Sequence, residues 1–283
     1  MSAPAPRVLL LGASGLLGGH LLERLPLSFS TVAVSGRSSM TGTDERVQWM
    51  PMRIDAADPA TIGSLLDAAG ADVVVNATGA SPRSEAAALA HVNARFPRAL
   101  ADAAAARGSR VVQISTDGVF SGARGHYAED DRPDPIDEYG RSKLDGELAA
   151  PHLTIRTSFY GRSPRGTGLV EWLIAQRGHA VDGFVDYRFT GIAASLLADL
   201  VASAIAAALD GVYHVGGDPV TKYDLLCGAS QRLHVNVAVR PVSRGAVDRT
   251  LNTQKFFDAV GRRPPTVAES IQALTPCGIL SRS

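Results

Sequence analysis

A glycine-rich segment near the start of the chain constrains the fold more than any other feature. An apolar run ending at Leu11 is followed by Gly12, Gly15 and Gly18 at intervals of three residues, and a helical pattern begins there. The first glycine permits a tight turn, the second lets backbone approach a phosphate, and the third lets a helix pack closely on the strand. The segment therefore predicts a strand, a phosphate-binding turn and a helix whose N-terminal amides hold a dinucleotide.

Short apolar runs alternate with helical patterns through the first two-thirds of the chain. Strands are predicted at Arg7–Leu11, Thr31–Ser35, Val47–Ile54, Asp72–Asn76, Arg110–Ser115 and Leu153–Arg156. Helices are predicted at Gly18–Leu25, Thr61–Ala69, Ser84–Arg107, with an interruption near Pro97, and Tyr139–Ala149. Because strands that alternate with helices are joined by right-handed crossovers, this order predicts an α/β fold, a Rossmann-type doubly wound parallel sheet covered on both faces.

The alternation weakens after about residue 157. Helical patterns follow at Leu169–Gln176, Ser195–Leu209 and Lys222–Leu233, and a strand pattern at Val235–Val242. We predict a dinucleotide-binding Rossmann domain over residues 1–157, which includes the Tyr139–Lys143 segment. A smaller C-terminal substrate-binding lobe is predicted over residues 158–283, with segments that return to the first domain.

The charge balance excludes several classes of partner. The chain has 28 Lys and Arg residues and 28 Asp and Glu residues, a formal net charge of zero, so no global field favours DNA, RNA or an anionic membrane. The most apolar later segment is interrupted by Asp199 and Ser203, which predicts a packed helix and no membrane span. Any bound anion must therefore be held by a local structural feature such as the glycine-rich turn.

The cysteine pattern and the start of the chain indicate the compartment. Cys227 and Cys277 stand neither in a Cys-x-x-Cys pair nor beside a histidine at ligand spacing, so we expect no disulfide framework and no metal site. The apolar run that follows Arg7 ends at Leu11, which is too short for the core of a secretion signal. A reducing, cytoplasmic compartment is therefore expected.

Three polar residues form a candidate catalytic set. The strand that begins at Arg110 leads into Thr116, at the sheet edge where ligands bind, and Tyr139 and Lys143 stand one helical turn apart. A tyrosine pKa is ordinarily about 10, and a nearby ammonium lowers it. We therefore predict that Lys143 lowers the pKa of Tyr139 and holds the nicotinamide ribose. Tyr139 then protonates a carbonyl oxygen as hydride arrives at its carbon, and Thr116 donates a hydrogen bond to that oxygen.

The residues after the second and third strands bear on the choice of dinucleotide. An acidic residue after the second strand would select NAD, whereas this chain has Arg37, whose guanidinium can pair with a 2′-phosphate. NADPH is therefore expected, with NADH as the alternative and a solvent-facing Arg37 as the other interpretation. Asp55 is expected either to bind the adenine amino group or to cap a turn or helix before Pro59.

Several segments resemble one superfamily. They are LLLGASGLLGGHL, DVVVNATGAS, HVNARFPRALADAAAARGSRVVQISTDGVFSG, YAEDDRPDPIDEYGRSKLDGE, LTIRTSFYG, GVYHVGG and RTLNTQKF. The chain is similar to the extended short-chain dehydrogenase/reductase superfamily and, within it, to the dTDP-4-dehydrorhamnose reductase family. The resemblance implies Thr116, Tyr139 and Lys143 as the catalytic residues. The cofactor contacts predicted from the motifs and the resemblance are Gly12, Ser14, Gly15, Leu16, Leu17, Gly18, Arg37, Asp55, Ala77, Thr78, Gly79, Asn93, Ser115, Tyr139, Lys143 and Arg156.

Two departures from the family pattern fall on the substrate side. The family usually has a tyrosine where this chain has Gly118, and its conserved RP-x-x-S-x-L segment becomes DRTLN, in which Arg249 is the remaining arginine. The resemblance still implies the same type of activity, and the two changes bear on which sugar is bound. Gly118, Arg162 and Arg249 are the expected substrate contacts, with Arg165 as a further candidate. The alternative for each arginine is a solvated surface position.

The resemblance implies an NADPH-dependent reductase that acts on a 4-keto nucleotide sugar, a small molecule. The enzymatic alternatives are an NAD-dependent epimerase and a 4,6-dehydratase. A dehydratase of this superfamily carries an acid at the position of Gly118, and Arg37 disfavours the NAD that an epimerase retains. A non-catalytic dinucleotide-binding regulatory subunit is the third interpretation, which the intact Thr116, Tyr139 and Lys143 set disfavours. The oligomeric state is left open, with a homodimer as one expectation.

Overall fold

The computed structural model describes residues 5–35, 45–51, 59–163 and 165–275. Its strands, in chain order, are β1 (Arg7–Leu11), β2 (Ser30–Ser35), β3 (Val47–Pro51), β4 (Val73–Asn76), β5 (Arg110–Thr116), β6 (Leu153–Tyr160), β7 (Ala180–Phe184), β8 (Tyr187–Phe189), β9 (Gly191–Ala193), β10 (Gly211–Val215), β11 (Val220–Thr221), β12 (Ala238–Val242) and β13 (Val247–Arg249).

The central sheet is parallel. Its order is β3-β2-β1-β4-β5-β6-β10, and β9 pairs with the end of β6 at Ser158–Tyr160. Strands β2 and β3 are added in turn on one side of β1, and the chain then crosses over to β4 on the other side of β1. In such sheets the ligand crevice lies outside the carboxyl ends of the strands at this reversal. The predicted doubly wound parallel sheet is confirmed, whereas the domain division at residue 157 stays a prediction.

The helices cover both faces of the sheet and form part of the C-terminal lobe. They are α1 (Leu16–Arg24), α2 (Pro59–Ala69), α3 (Ala86–Ala88), α4 (Phe96–Ala105), α5 (Glu138–Asp145), α6 (Leu169–Ala175), α7 (Ala194–Ala206), α8 (Lys222–Arg232), α9 (Gln254–Val260) and α10 (Val267–Gln272). A π-helical stretch, Leu89–Arg95, lies between α3 and α4. The helical region predicted over Ser84–Arg107 therefore changes its geometry just before Pro97.

Several sequence-based boundaries were wrong: the strand predicted to end at Arg156 extends to Tyr160, and two further differences have an identifiable cause. The helix predicted to reach Ala149 ends at Asp145, because Gly146 terminates it as a C-cap residue. The strand predicted from Val235 begins only at Ala238. Asn236 has a φ of +51°, which an extended strand residue does not adopt. The two valines beside it are buried in the C-terminal lobe, which explains the apolar pattern that suggested a strand.

Side chains that alternate along the central strands fill two cores. Val8 and Leu10 of β1 pack on one face of the sheet, together with α1 and α7. Leu9 and Leu11 pack on the other face, together with α2 and α4. All four side chains are fully buried, which agrees with the near-continuous apolar strands of a sheet covered on both faces.

The residues after β6 form a separate, smaller core. It joins α6 and α8 with two small sheets, one of β12 and β7 and one in the order β11-β8-β13. In the second sheet, Val247 pairs with Tyr187 and Arg249 with Phe189. This pairing brings segments about 60 residues apart in sequence to the same place, beside the carboxyl end of β5. Among the described residues, no helix is both long and apolar enough to cross a membrane.

Candidate active site

The glycine-rich turn fits a diphosphate because its surface is backbone. Gly12 has a φ of +83°, and a Cβ placed on Gly18 would lie 2.0 Å from the Gly12 carbonyl oxygen, so neither position accepts a side chain without rearrangement. Leu16 and Leu17 open α1, and Gly15 before them provides no side-chain cap. The first turn holds no acidic residue to compete with a bound anion. The geometry of this turn fits the backbone cradle that the sequence predicts for a dinucleotide.

The segment after β4 lies against this turn. A Cβ on Gly12 would approach the Ala77 carbonyl to 2.8 Å and the Thr78 nitrogen to 2.9 Å. The Asn76 side chain fixes the segment, because its Oδ1 accepts hydrogen bonds from the backbone amide and the hydroxyl of Thr78. Gly79 follows, and its Cβ position lies 3.8 Å from Lys143 Nζ. The predicted cofactor residues 77–79 therefore connect the glycine turn to the predicted catalytic lysine.

Asn93 joins that segment to α5. Its Oδ1 accepts a hydrogen bond from the Ala80 amide at 2.9 Å, and its Nδ2 donates to the Ala80 carbonyl at 3.2 Å. The same Nδ2 donates to Ser142 Oγ at 3.1 Å, and Ser142 in turn donates to the Tyr139 carbonyl at 2.8 Å. Asn93 lies in the π-helical stretch and is buried. The structure thus gives it a positioning role behind the predicted catalytic residues.

Two close backbone approaches fix the position of α5. A Cβ on Gly140 would lie 2.2 Å from the Gly118 carbonyl oxygen, and one on Gly146 would lie 1.8 Å from the Asn93 carbonyl oxygen. Asp137 caps the helix by accepting a hydrogen bond from the Gly140 amide at 2.7 Å. The helix that carries Tyr139 and Lys143 is therefore held between the loop after β5 and the π-helical stretch.

Lys143 is buried near the end of α5. Its Nζ donates a hydrogen bond of 2.7 Å to the Ile114 carbonyl. Burial lowers the pKa of Lys143 to about 8, while the charge of Glu147 opposes that change. The ammonium therefore persists at neutral pH but is lost under mildly alkaline conditions.

The predicted effect of Lys143 on the pKa of Tyr139 was wrong. Burial, assisted by the charge of Asp117, raises the pKa of Tyr139 to about 12, and only the Thr116 hydroxyl lowers it. The ammonium of Lys143 is held at the Ile114 carbonyl and does not contribute. The phenol consequently keeps its proton at neutral pH, the state that a proton donor requires.

Thr116 and Asp117 form one hydrogen-bonded unit at the end of β5. Thr116 Oγ1 donates to Asp117 Oδ1 at 3.2 Å and accepts from the Gly118 amide at 3.0 Å. Burial raises the pKa of Asp117 to about 6, while the charges of Arg249 and Lys222 and the Thr116 hydroxyl lower it. The structure therefore brings Thr116 and Tyr139 together, with a buried carboxyl group beside both.

Two residues that sequence reasoning missed lie near the predicted substrate contacts. Arg249 was predicted, and its Nη1 lies 3.6 Å from the Cβ position of Gly118. Tyr187 and Lys222 were not, yet Lys222 Nζ lies 3.7 Å from the centroid of the Tyr187 ring. Burial and the charge of Asp117 raise the pKa of Tyr187, which places it in the same electrostatic environment. No local signal marked them, because β8 and β11 are too short to show a strand pattern.

The other predicted arginines lie elsewhere. Arg162 Nε donates to Glu171 Oε1 at 2.7 Å, so Arg162 forms an ion pair within the C-terminal lobe. The Arg165 guanidinium donates to Ser14 Oγ and therefore lies at the glycine-rich turn. Neither is brought together with Arg249. Arg37 and Asp55 lie outside the described residues.

Arg156 and Ser115 share a buried partner. Arg156 donates through Nε and Nη2 to the two carboxylate oxygens of Glu147, at 2.9 and 2.8 Å, and Ser115 Oγ donates to Glu147 Oε1 at 2.7 Å. Glu147, the last residue of the YGRSKLDGE motif, could have been singled out as the partner of a buried cation. In the same strand as Arg156, Thr157 is buried with an unpartnered hydroxyl and pairs in register with Thr116.

Comparison with known proteins adds a family match. Residues 6–255 match the RmlD substrate binding domain family. The chain is 32% identical over 260 residues to a Streptomyces antibioticus protein named probable dTDP-4,6-dihydroxy-2-methyloxan-3-one 4-ketoreductase, with 86% of this chain and 83% of that protein covered. It is 30% identical over 310 aligned positions to the dTDP-4-dehydrorhamnose reductase of Streptomyces griseus, with 99% and 97% covered.

The fold also has close counterparts among solved structures. The dTDP-4-dehydrorhamnose reductase of Bacillus anthracis in complex with NADP superimposes with a TM-score of 0.81 at 22% identity, over 96% of this chain and 99% of that chain. Within the described residues, no three His, Cys, Asp or Glu side chains are grouped so as to hold a metal ion.

Proposed function

Because this chain belongs to the RmlD substrate binding domain family, we propose that it is an NADPH-dependent reductase that converts the ketone of a 4-keto nucleotide sugar to an alcohol. The match confirms the predicted resemblance. The chain is therefore an NAD(P)-dependent oxidoreductase of the extended short-chain type. The names of two relatives, a 4-ketoreductase and a dTDP-4-dehydrorhamnose reductase, support this reaction class.

One observation carries the proposal. Thr116, Tyr139 and Lys143 converge at the carboxyl ends of the central strands, and Lys143 Nζ comes within 3.8 Å of the Cβ position of Gly79, in the segment that lies on the glycine turn. A dinucleotide across the turn would therefore extend toward the phenol. The NADP in the Bacillus anthracis structure and the guanidinium of Arg37 support NADPH as the preferred dinucleotide.

Residues of this chain bind the reactants and transfer the proton. When bound, NADPH supplies the hydride that reaches the carbonyl carbon. Tyr139 gives its phenolic proton to the carbonyl oxygen, so that the ketone becomes a secondary alcohol and the phenolate is reprotonated from solvent. The Thr116 hydroxyl, which donates to Asp117 Oδ1, can turn to the same oxygen as charge develops there. Lys143 holds the nicotinamide ribose.

A substrate panel tests the proposal. NADPH oxidation is followed with dTDP-, UDP- and GDP-linked 4-keto sugars, and the protein is also analysed for a dinucleotide that copurifies. We expect turnover of exchangeable NADPH with at least one nucleotide sugar and a hydroxyl product identified by mass spectrometry. Tightly retained NAD with epimerisation would refute the proposal in favour of the epimerase, and binding without turnover would refute it in favour of a regulatory subunit.

Substitution of Gly18 tests the cradle. In Gly18→Ala the new methyl group would lie 2.0 Å from the Gly12 carbonyl, so either the turn or α1 must move. We expect NADPH to bind at least tenfold more weakly, measured by quenching of protein fluorescence. Gly63→Ala in α2 is the matched control, because its new methyl group meets only the flexible end of the Arg107 side chain. Equal affinity in both variants would show that the turn does not hold the dinucleotide.

The lowered pKa of Lys143 predicts an alkaline limit. Since the ammonium is lost as pH rises through about 8, we expect kcat/KM for NADPH to fall above that pH, approaching tenfold per pH unit. Tyr139, with a pKa of about 12, stays protonated over this range and adds nothing to the decline. In Lys143→Arg the positive charge persists at alkaline pH, so the residual activity should no longer decline above about pH 8. An unchanged alkaline limb in that variant would assign the titration to another group.

Three properties complete the proposal. The substrate is a small nucleotide sugar, the compartment is the cytoplasm, and the homodimer is one expected state. Light scattering coupled to size-exclusion chromatography gives the molar mass, which decides whether the protein is a homodimer.

A further inference from the structure

The connection between β6 and α6 brings an arginine to the glycine-rich turn. Near its start, the Cβ position of Gly161 lies 3.7 Å from Leu16 Cδ2. At its end, the Cβ position of Gly168 lies 3.4 Å from Leu16 Cδ1. Both ends of the connection therefore pack on the first residue of α1, and Arg165 stands between them in the chain.

The two arginines of this connection differ in their partners. Arg162 Nε lies 2.7 Å from Glu171 Oε1 and forms an ion pair. The guanidinium of Arg165 donates through Nη2 to the hydroxyl of Ser14, a neutral group in the glycine-rich turn. Among the residues that the structure describes, no carboxylate oxygen lies within 4 Å of the Arg165 guanidinium. The charge of Arg165 is therefore not paired within that part of the chain.

The turn itself offers backbone donors and only a partial charge. Gly15 provides no side-chain cap for α1, and the first turn of that helix has no acidic residue. The N-terminus of a helix carries about half an elementary charge, whereas each phosphate of a dinucleotide carries a full negative charge. A guanidinium forms two charge-assisted hydrogen bonds with a phosphate, which are stronger than one bond to a neutral hydroxyl. A diphosphate in the turn would therefore replace Ser14 as the partner of Arg165.

We propose that Arg165 is a cofactor-binding residue whose guanidinium leaves the Ser14 hydroxyl and binds the diphosphate of the dinucleotide. The inference rests on the proposed function and adds a residue from the segment after β6 to the cofactor site. The 2′-phosphate of NADPH and the diphosphate of the sugar nucleotide are two other sources of the same chemistry. The contact with Ser14 favours the cofactor diphosphate, because Ser14 lies between the glycines that shape the turn for it.

Binding of NADP⁺ to the full-length protein tests the assignment without turnover. Calorimetry should show at least tenfold weaker binding to Arg165→Gln than to the wild type, which corresponds to about 1.4 kcal/mol. Arg165→Lys should lie between them, because an ammonium keeps the charge but lacks the planar fork of donors. Arg177→Gln removes an exposed arginine beyond the other end of α6 and is the matched control, which should bind as the wild type does. Equal affinities of the wild type and Arg165→Gln would overturn the proposal.

A comparison of ligands identifies the phosphate that Arg165 contacts. NADP⁺ and NAD⁺ share the diphosphate, so Arg165→Gln should weaken both by the same factor. Adenosine 2′-monophosphate has no diphosphate and should compete with NADP⁺ equally well in both proteins. A loss that appears with the 2′-phosphate alone would overturn the proposal. Weaker binding of UDP-glucose or dTDP-glucose, with unchanged binding of both dinucleotides, would assign Arg165 to the substrate and overturn it as well.

The salt dependence separates a charge contact from a structural effect. Because dissolved ions screen the attraction between exposed charges, the affinity for NADP⁺ should fall with added sodium chloride more steeply in the wild type than in Arg165→Gln. Arg165 is exposed, so the substitution should leave the urea midpoint unchanged. Weaker binding with an unchanged salt dependence would show that the substitution disturbs the turn without removing a charge contact, which contradicts the inference.

Failure of the proposed function has a different signature. If the wild type binds neither NADP⁺ nor NAD⁺, the dinucleotide-dependent reductase and the role of Arg165 are both wrong. If the wild type binds NADP⁺ and turns over a keto sugar while Arg165→Gln keeps full affinity, only the assignment of Arg165 is wrong.

Discussion

Tyr139→Phe should lower kcat by about 10²- to 10⁴-fold, the range associated with loss of a positioned general acid. The phenol is the proton donor of the proposed reaction, and its pKa of about 12 keeps it protonated at neutral pH. Phenylalanine fills the same space beside Thr116 but has no proton to give. The affinity for NADPH should change little, because the ring and the position of α5 are retained.

Single-turnover kinetics measure this effect without interference from product release. Tyr213→Phe is the matched control: its ring in β10 packs against Phe256 and lies under Lys255, contacts that phenylalanine preserves. That variant should turn over at the wild-type rate. Wild-type turnover by Tyr139→Phe would refute the assigned proton donor, whereas loss of activity in both variants would indicate a general effect of removing a tyrosine hydroxyl.

Glu147→Gln should reduce the free energy of unfolding by about 3–5 kcal/mol, the cost of leaving one member of a buried ion pair without its partner. The side chains of Arg156 and Glu147 are only 5% and 9% exposed, and the guanidinium donates to both carboxylate oxygens. Glutamine keeps one acceptor but removes the charge. Chemical denaturation with urea gives the difference directly.

The control is an ion pair of the same geometry at the surface. Arg107 donates through Nε and Nη2 to the two oxygens of Asp67, whose side chain is 65% exposed. Asp67→Asn should leave the urea midpoint unchanged within error, since exposed pairs contribute little. If both variants lose the same stability, burial is not the cause.

Glu147→Gln should also shift the alkaline activity limit to lower pH, because Glu147 supports the charged state of Lys143.

Local pattern was sufficient for most of the central sheet and for placing the predicted catalytic residues at one edge of it. The glycine turn, the apolar strands and the Tyr139–Lys143 spacing are each contained in a short window of sequence. Their meeting point follows from the rule that parallel strands present their carboxyl ends at one edge. Thr116 could be assigned for the same reason, as the residue that ends β5.

The electrostatics of the site could not be obtained in this way. The pKa of Tyr139 depends on burial and on Asp117, and the spacing to Lys143 suggested the opposite direction. Lys222 and Tyr187 reach the site through β11 and β8, strands of two and three residues with no detectable periodicity. Their neighbours are set by packing between segments distant in sequence, which a window of sequence does not contain.

The π-helical stretch has a consequence for how this protein tolerates change in chain length. Each residue of an α-helix advances about 100° around the axis, so deleting or inserting one residue within Leu89–Arg95 would turn Asn93 away from Ala80 and Ser142. Substitutions on the outer side of that stretch leave this register intact. Its composition can therefore be varied by mutagenesis, but its length is tied to the geometry of the candidate active site.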